Sequence, residues 1–157
     1  MNMATETLPK QPDFTVVTEE NGQTLLTDGS IINTRIILAD LIITKEDPFM
    51  GPEISISPLI ALRVIAPQKL REQYKDKPIL NAPDIPLTSE SGFEQINIER
   101  AIKPTQSTYL FEGYLLVITL DINFVARNKL YKAPSGTPIY SVRWGINVKN
   151  TKATASK

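Results

Sequence analysis

Cysteine and histidine are both missing from this chain. Without cysteine there is no disulfide framework, no thiolate nucleophile and no Cys-ligated zinc or iron–sulfur site. Without histidine the usual general base near neutral pH is gone, and a Ser-His-Asp triad cannot be built within the chain. An excess of charge is missing too: 17 Lys and Arg balance 17 Asp and Glu. That balance argues against a dedicated nucleic-acid binder and favours self-association at pH about 6–7. Neither G-x-G-x-x-G nor G-x-x-x-x-G-K-[ST] occurs, so no glycine-rich loop is set to cradle a phosphate. No run approaches the roughly 18 apolar residues of a spanning helix, and the opening residues carry no leader-like apolar stretch. The expectation is a soluble cytoplasmic protein without a cofactor or a membrane span. Oxygen-only Ca²⁺ or Mg²⁺ sites stay open in principle, because they need only carboxylates and carbonyls.

What is present reads as β structure. The 157 residues suit one domain, and 41% hydrophobic content suits a packed core. Residues 1–12 hold two prolines and no period, which predicts a flexible tail. Phe14–Glu19 is rich in strand formers. Asn21-Gly22 and Asp28-Gly29 are both suited to tight turns with positive φ, so they predict a three-strand meander through Gln23–Thr27. Ser30–Thr44 carries apolar residues on both faces, which implies cover on both sides or a bulge that switches faces. Glu53–Ile65 alternates, and Pro58 predicts that this strand is at an edge or bulged. A short helix is expected over 67–75, with Pro67 in its first position and Leu70 and Tyr74 on one face. Lys77–Gly92 is a long proline-containing loop, either functional or a crossover between sheets. Phe93–Lys103 reads as one strand, and Lys149–Lys157 as a flexible basic tail.

The chain's organising element is a predicted long hairpin, Tyr109–Ala126 with Ile139–Val148, joined through Tyr131–Pro138. Its even positions read as core, including Leu116, Ile118, Leu120, Tyr140, Val142, Trp144, Ile146 and Val148. The odd face is expected to be buried at the start of the first strand and exposed later. Asp28-Gly29 and its following strands resemble Glu112-Gly113 and its own at an offset of 84 to 86 residues. Two long hairpins look somewhat alike by chance, so duplication and coincidence both stand. About seven regularly spaced strands predict a mainly β, antiparallel, single-domain barrel or two-sheet sandwich.

Asp40 and Asp121 sit inside apolar strands and need partners; an ion pair or a solvated position explains them better than a catalytic carboxylate pair. Arg35, Arg63 and Arg143 fall on the polar sides of their strands. A stripe of them would suit phosphate, carboxylate or nucleic-acid backbone, whereas solvated cross-strand pairing is the plainer account. Burial explains Tyr109 and Phe111 better than base stacking does. Partner- or ligand-binding candidates are therefore Arg35, Arg63, Asp121, Asn123, Arg143 and Asn147, with no catalytic or metal residue among them. The leading expectation is a non-enzymatic β-module acting through surface contacts, its partner another protein and foremost a second copy of itself. The alternatives are a small-ligand barrel with 77–92 as lid, and a weak nucleic-acid binder using the arginine stripe, with nucleic acid the less favoured partner.

Overall fold

Nine strands form two antiparallel sheets that pack face to face, as a computed structural model describing residues 8–153 shows. The strands are β1 (Thr15–Glu20), β2 (Gly22–Leu26), β3 (Ile31–Asp47), β4 (Gly51–Ile65), β5 (Phe93–Gln95), β6 (Ile98–Lys103), β7 (Thr105–Phe111), β8 (Tyr114–Lys132) and β9 (Pro138–Lys152). One sheet has the order β4-β3-β2-β6. The other has β1-β7-β8-β5, with β9 on β8. This is a sandwich; the described strands do not close into a barrel.

The predicted meander through Asn21-Gly22 does not form. Asp28-Gly29 does turn β2 into β3, but β1 leaves β2 and pairs with β7 in the other sheet. Gly22 is buried in a corner where the chain changes sheets. A Cβ there would lie 2.7 Å from the backbone nitrogen of Thr105. Close backbone approach, and not a hairpin turn, is what this glycine provides. The segment facing it bends at the same place: β6 lies in the first sheet and β7 in the second, with Pro104 between them. Phe93–Lys103 likewise splits, because β5 pairs with β8 and β6 with β2.

Tyr109–Ala126 is also two strands. Glu112 and Gly113 both adopt positive φ (45° and 80°), and Phe111 pairs directly with Tyr114 across the turn. The β8–β9 hairpin is as expected, but β9 continues through Lys152, opposite Tyr114. Lys149–Lys152, expected in a flexible tail, are therefore strand, and residues 154–157 lie outside the described residues. At the other end Lys10 forms a bridge to Ile43 with two backbone hydrogen bonds of 2.8 and 3.0 Å; residues 1–7 lie outside the described set.

Both long central strands switch faces at a bulge. In β3 the buried residues run Ile32, Thr34, Ile36, Leu38 and then Leu41, Ile43, with the register shift between Leu38 and Asp40. In β8 they run Leu116, Ile118, Leu120 and then Val125, with the shift between Ile122 and Phe124. A bulge adds one residue and so inverts the alternation. Pro58 pairs with Leu38 at the first bulge, on the edge strand β4.

The two sheets are duplicates in plan. A shift of 84 positions carries the Asp28-Gly29 turn to Glu112-Gly113, and the bulge at Leu38/Asp40 to Ile122/Phe124. Exchanging β1, β2, β3 and β4 for β6, β7, β8 and β9 turns the order β4-β3-β2-β6 into β9-β8-β7-β1, which is the other sheet apart from the short β5. The resemblance seen in sequence is thus a pseudo-twofold arrangement, and Gly22 meets Thr105 where the two halves cross.

Buried hydroxyls stitch the sheets together. β2 pairs with β3 only as far as Thr34, so the next stretch of β3 lacks a strand on that side. β7 supplies side chains instead. Thr105 and Thr34 share a hydroxyl hydrogen bond. Ser107 Oγ donates to the Ile36 carbonyl at 2.7 Å. The Tyr109 hydroxyl accepts from the Leu38 amide at 2.9 Å and donates to Glu19 at 2.7 Å. Satisfied this way, buried polar groups add specificity without the penalty of an orphan. Around them Ile36, Leu38, Leu41, Ile43, Tyr109, Phe111, Leu116, Ile118 and Leu120 form the main core.

The helix α1 spans Gln68–Gln73, with Pro67 as its N-cap at ψ 153°. That extended ψ places Pro67 just outside the helix, one step from the expected position. Leu70 and Tyr74 are buried beside Ala66, and the Tyr74 hydroxyl donates to the Asn128 carbonyl at 2.8 Å. The 77–92 segment runs from the first sheet to the second and lays Leu80 and Ile85 against Phe93, Phe124, Ala126 and Ile139. It covers a sheet face and not a barrel mouth. It also buries β8 on both sides around Val125, Ala126 and Asn128, past the odd positions Asp121 and Asn123, which are exposed as expected.

Candidate functional site

The six candidate residues divide between the two sheets. Arg35 and Arg63 lie together on the outer face of the β4-β3-β2-β6 sheet. Asp121, Asn123, Arg143 and Asn147 lie on β8 and β9 of the other. The three-arginine stripe does not form, because Arg143 is on the wrong sheet. Its guanidinium instead sits 5.6 Å from the Phe124 ring centre, a cation–π contact. Asp121 is exposed opposite Gly145, and Asn123 lies over Gly145. Asp40 accepts the Leu41 backbone amide at 2.9 Å and the Gln11 side-chain amide at 3.2 Å, so the bulge and the N-terminal segment supply its partners. Tyr109 and Phe111 are 0% and 1% exposed and present no ring to solvent. Among the described residues no three carboxylates gather where a metal could sit.

Arg35 and Arg63 line a groove of about 390 Å³ with Lys103, Gln23, Asn33, Asn21, Thr34, Ala61 and Leu62. One rung crosses the whole sheet beneath it: Lys103 opposite Gln23, Gln23 opposite Asn33, Asn33 opposite Arg63. Lys103 and Gln23 escaped the sequence reading. Lys103 closes a short irregular strand, and its neighbour in space is 80 positions away in sequence, so local spacing carries no sign of it.

A second polar cluster closes the end of the sandwich. Arg127 donates to Asp28 at 3.0 Å and to Glu94 at 3.1 Å. The Tyr140 hydroxyl donates to the same Asp28 carboxylate at 2.7 Å and contacts the Ser30 hydroxyl at 2.7 Å. Burial works against the Arg127 charge, but Tyr74, Glu94 and Asp28 outweigh it and raise its pKa. Burial pushes the Tyr140 hydroxyl well above the ordinary phenol range; Ser30 opposes this and Asp28 reinforces it. The cluster fixes the Asp28 turn against β8 and β9 and leaves no free nucleophile or base.

The β9 edge is the other exposed feature. Val148 and Trp144 face Ile118 and Ile122 across the β8–β9 pair, so they lie on the core side of the sheet. They are nevertheless 40% and 41% exposed. The reason is lateral: no described strand lies beyond β9. Their expected place in the core is therefore only half filled.

Comparison of the chain with family models, with curated proteins and with solved structures finds no match. No helix among the described residues is long and apolar enough to cross a membrane.

Proposed function

We propose that the protein is a non-enzymatic β-module that works by assembly, adding the β9 edge of one copy to the β9 edge of a second. The observation that carries this reading is the pair of core-facing side chains, Trp144 and Val148, left half-exposed on a 15-residue rim strand. Such an edge is a template for another strand. β9 is also complementary to itself. Laid antiparallel about Gly145, it sets Trp144 opposite the second copy's Ile146 and Val142 opposite Val148, with Arg143 opposite Asn147 and Ser141 opposite Lys149. No like charges meet in that register, and zero net charge opposes no approach between copies. An isologous contact of this kind closes as a twofold dimer. The same proposal puts the module in the cytoplasm, where a chain without cysteine forgoes nothing.

Sedimentation velocity over a concentration series tests the reading. The expected result is a monomer–dimer equilibrium. Trp144→Lys combined with Val148→Lys should shift it to monomer with an unchanged circular dichroism spectrum, since inward lysines are tolerated on edge strands. Each apolar group contributes about 1.5–3 kcal/mol when fully buried. Losing both should weaken the dimer at least a hundredfold, at about 1.4 kcal/mol per factor of ten. A wild-type protein that stays monomeric throughout, or a double variant that pairs as tightly, rejects it.

A further inference from the structure

We infer that the groove on the outer face of the β4-β3-β2-β6 sheet is a binding site for a small phosphate monoester that carries a hydroxyl group. Three cations converge there, Arg35, Arg63 and Lys103. Of these only Arg35 has a carboxylate partner, Glu19 at 3.4 Å; neither Arg63 nor Lys103 forms an ion pair among the described residues. Arginine offers a planar fork and lysine a point charge to a phosphate dianion. The groove's volume suits a small molecule. Asn33 supplies a second, independent sign: its Oδ1 is buried with no hydrogen-bond donor. An orphaned acceptor at a groove wall calls for an explanation. The terminal torsion of asparagine is soft, so a modest turn lets this oxygen accept a hydrogen bond from a ligand hydroxyl while the cations hold the phosphate.

The duplication shows that the fold does not require these charges. At the same shift the equivalent rung of the other sheet runs Thr18 opposite Thr108, Thr108 opposite Val117, and Val117 opposite Lys149. Arg63 thus has a cationic counterpart in Lys149, but Lys103 gives way to Thr18, Asn33 to Val117 and Arg35 to Thr119. The strand plan is shared, and the gathering of three cations around an asparagine belongs to one half alone.

Titration calorimetry and amide-resolved NMR with glycerol 3-phosphate test this, using the full chain. Saturable binding is expected, with shifts confined to β2, β3, β4 and β6. Arg63→Gln and Lys103→Gln should each weaken it roughly tenfold, the loss of one charge-assisted contact. Asn33→Ala should weaken glycerol 3-phosphate but leave inorganic phosphate unchanged. Arg143→Gln, on the opposite sheet, should change neither. All four positions face solvent or the groove, and a thermal melt checks each variant's fold. No saturable binding, or equal binding in the Arg63→Gln/Lys103→Gln double variant, overturns the proposal. So does binding seen only with a single-stranded oligonucleotide or with vesicles containing phosphatidic acid, which would assign the groove to a macromolecular surface.

Discussion

β4 and β9 occupy equivalent rims of the two sheets, yet they are defended differently. β4 carries Pro52 and Pro58. The partner of Pro58, Leu38, sends its amide to Tyr109 and not across the ladder. Proline on an edge strand removes a donor that an incoming strand would need. β9 has no proline after Pro138, and its register shifts fall where β8 bulges and where the hairpin turns. One half of the duplicated plan thus has a guarded rim and a cationic outer face. The other has an open rim and keeps one of the three cations, Lys149, at the equivalent positions. Duplication gives two copies of a scaffold, and the differences between them show which features are free to specialise.

The largest test of the comparison is at the corner where the halves meet. Gly22→Thr forces a side chain onto the Thr105 backbone and should cost about 3 kcal/mol in urea unfolding, the upper range for overpacking. Adding Thr105→Gly removes the side chain that the new threonine meets. The double change should recover at least half of that loss; no recovery would trace the clash to the Thr105 backbone alone.

An intermediate effect is expected from alkali, and it should strike one half first. Residues 15–65 contain no tyrosine, whereas Tyr109 and Tyr140 lie in the second half. Burial raises the pKa of both, and of Tyr74. A group with a raised folded pKa contributes stability that is fully present below its unfolded value, about 10 for tyrosine. That stability is lost as pH rises through the folded value, at up to about 1.4 kcal/mol per group per pH unit. Unfolding midpoints should therefore hold to about pH 10 and fall beyond it. Amide exchange should open β7–β9 before β3–β4; the reverse order would break the assignment.

The smallest effect on stability, within about 0.5 kcal/mol, should come from Pro58→Val. It restores an amide to the β4 rim. If proline is what guards that rim, sedimentation should now show species larger than a dimer. An unchanged profile would trace the guard to the β3 bulge.

Much of this fold was legible from residues near each other in sequence. The Asp28-Gly29 turn, the bulge in β3, the edge position of β4 and the helix face of Leu70 and Tyr74 all follow from local pattern. Asn21-Gly22 shows the limit. The dipeptide favours a turn, but the nearby backbone of Thr105 decided its role, and nothing within 80 residues announces that. Trp144 and Val148 show another. Alternation tells which side of a sheet a residue faces, but not whether a further strand shelters it. For the candidate site, Arg35 and Arg63 were grouped correctly because β3 and β4 are sequence neighbours. Arg143 was grouped wrongly because membership of a sheet is set by long-range pairing.

The exchanged first strands have a kinetic consequence. β1 completes the sheet built mainly from the second half, with Thr15 pairing with Leu110, and β6 completes the sheet of the first half. Neither meander can finish its own sheet from its own residues. The chain must close separations of 72 residues (Leu26 to Ile98) to 95 residues (Thr15 to Leu110) before either sheet is complete, a high contact order that predicts folding in milliseconds to seconds. Until that closure, the β2 and β7 ladders are bare on one side. A nascent chain in which only the first half has emerged from the ribosome therefore waits with an incomplete sheet for the strand that will seal it.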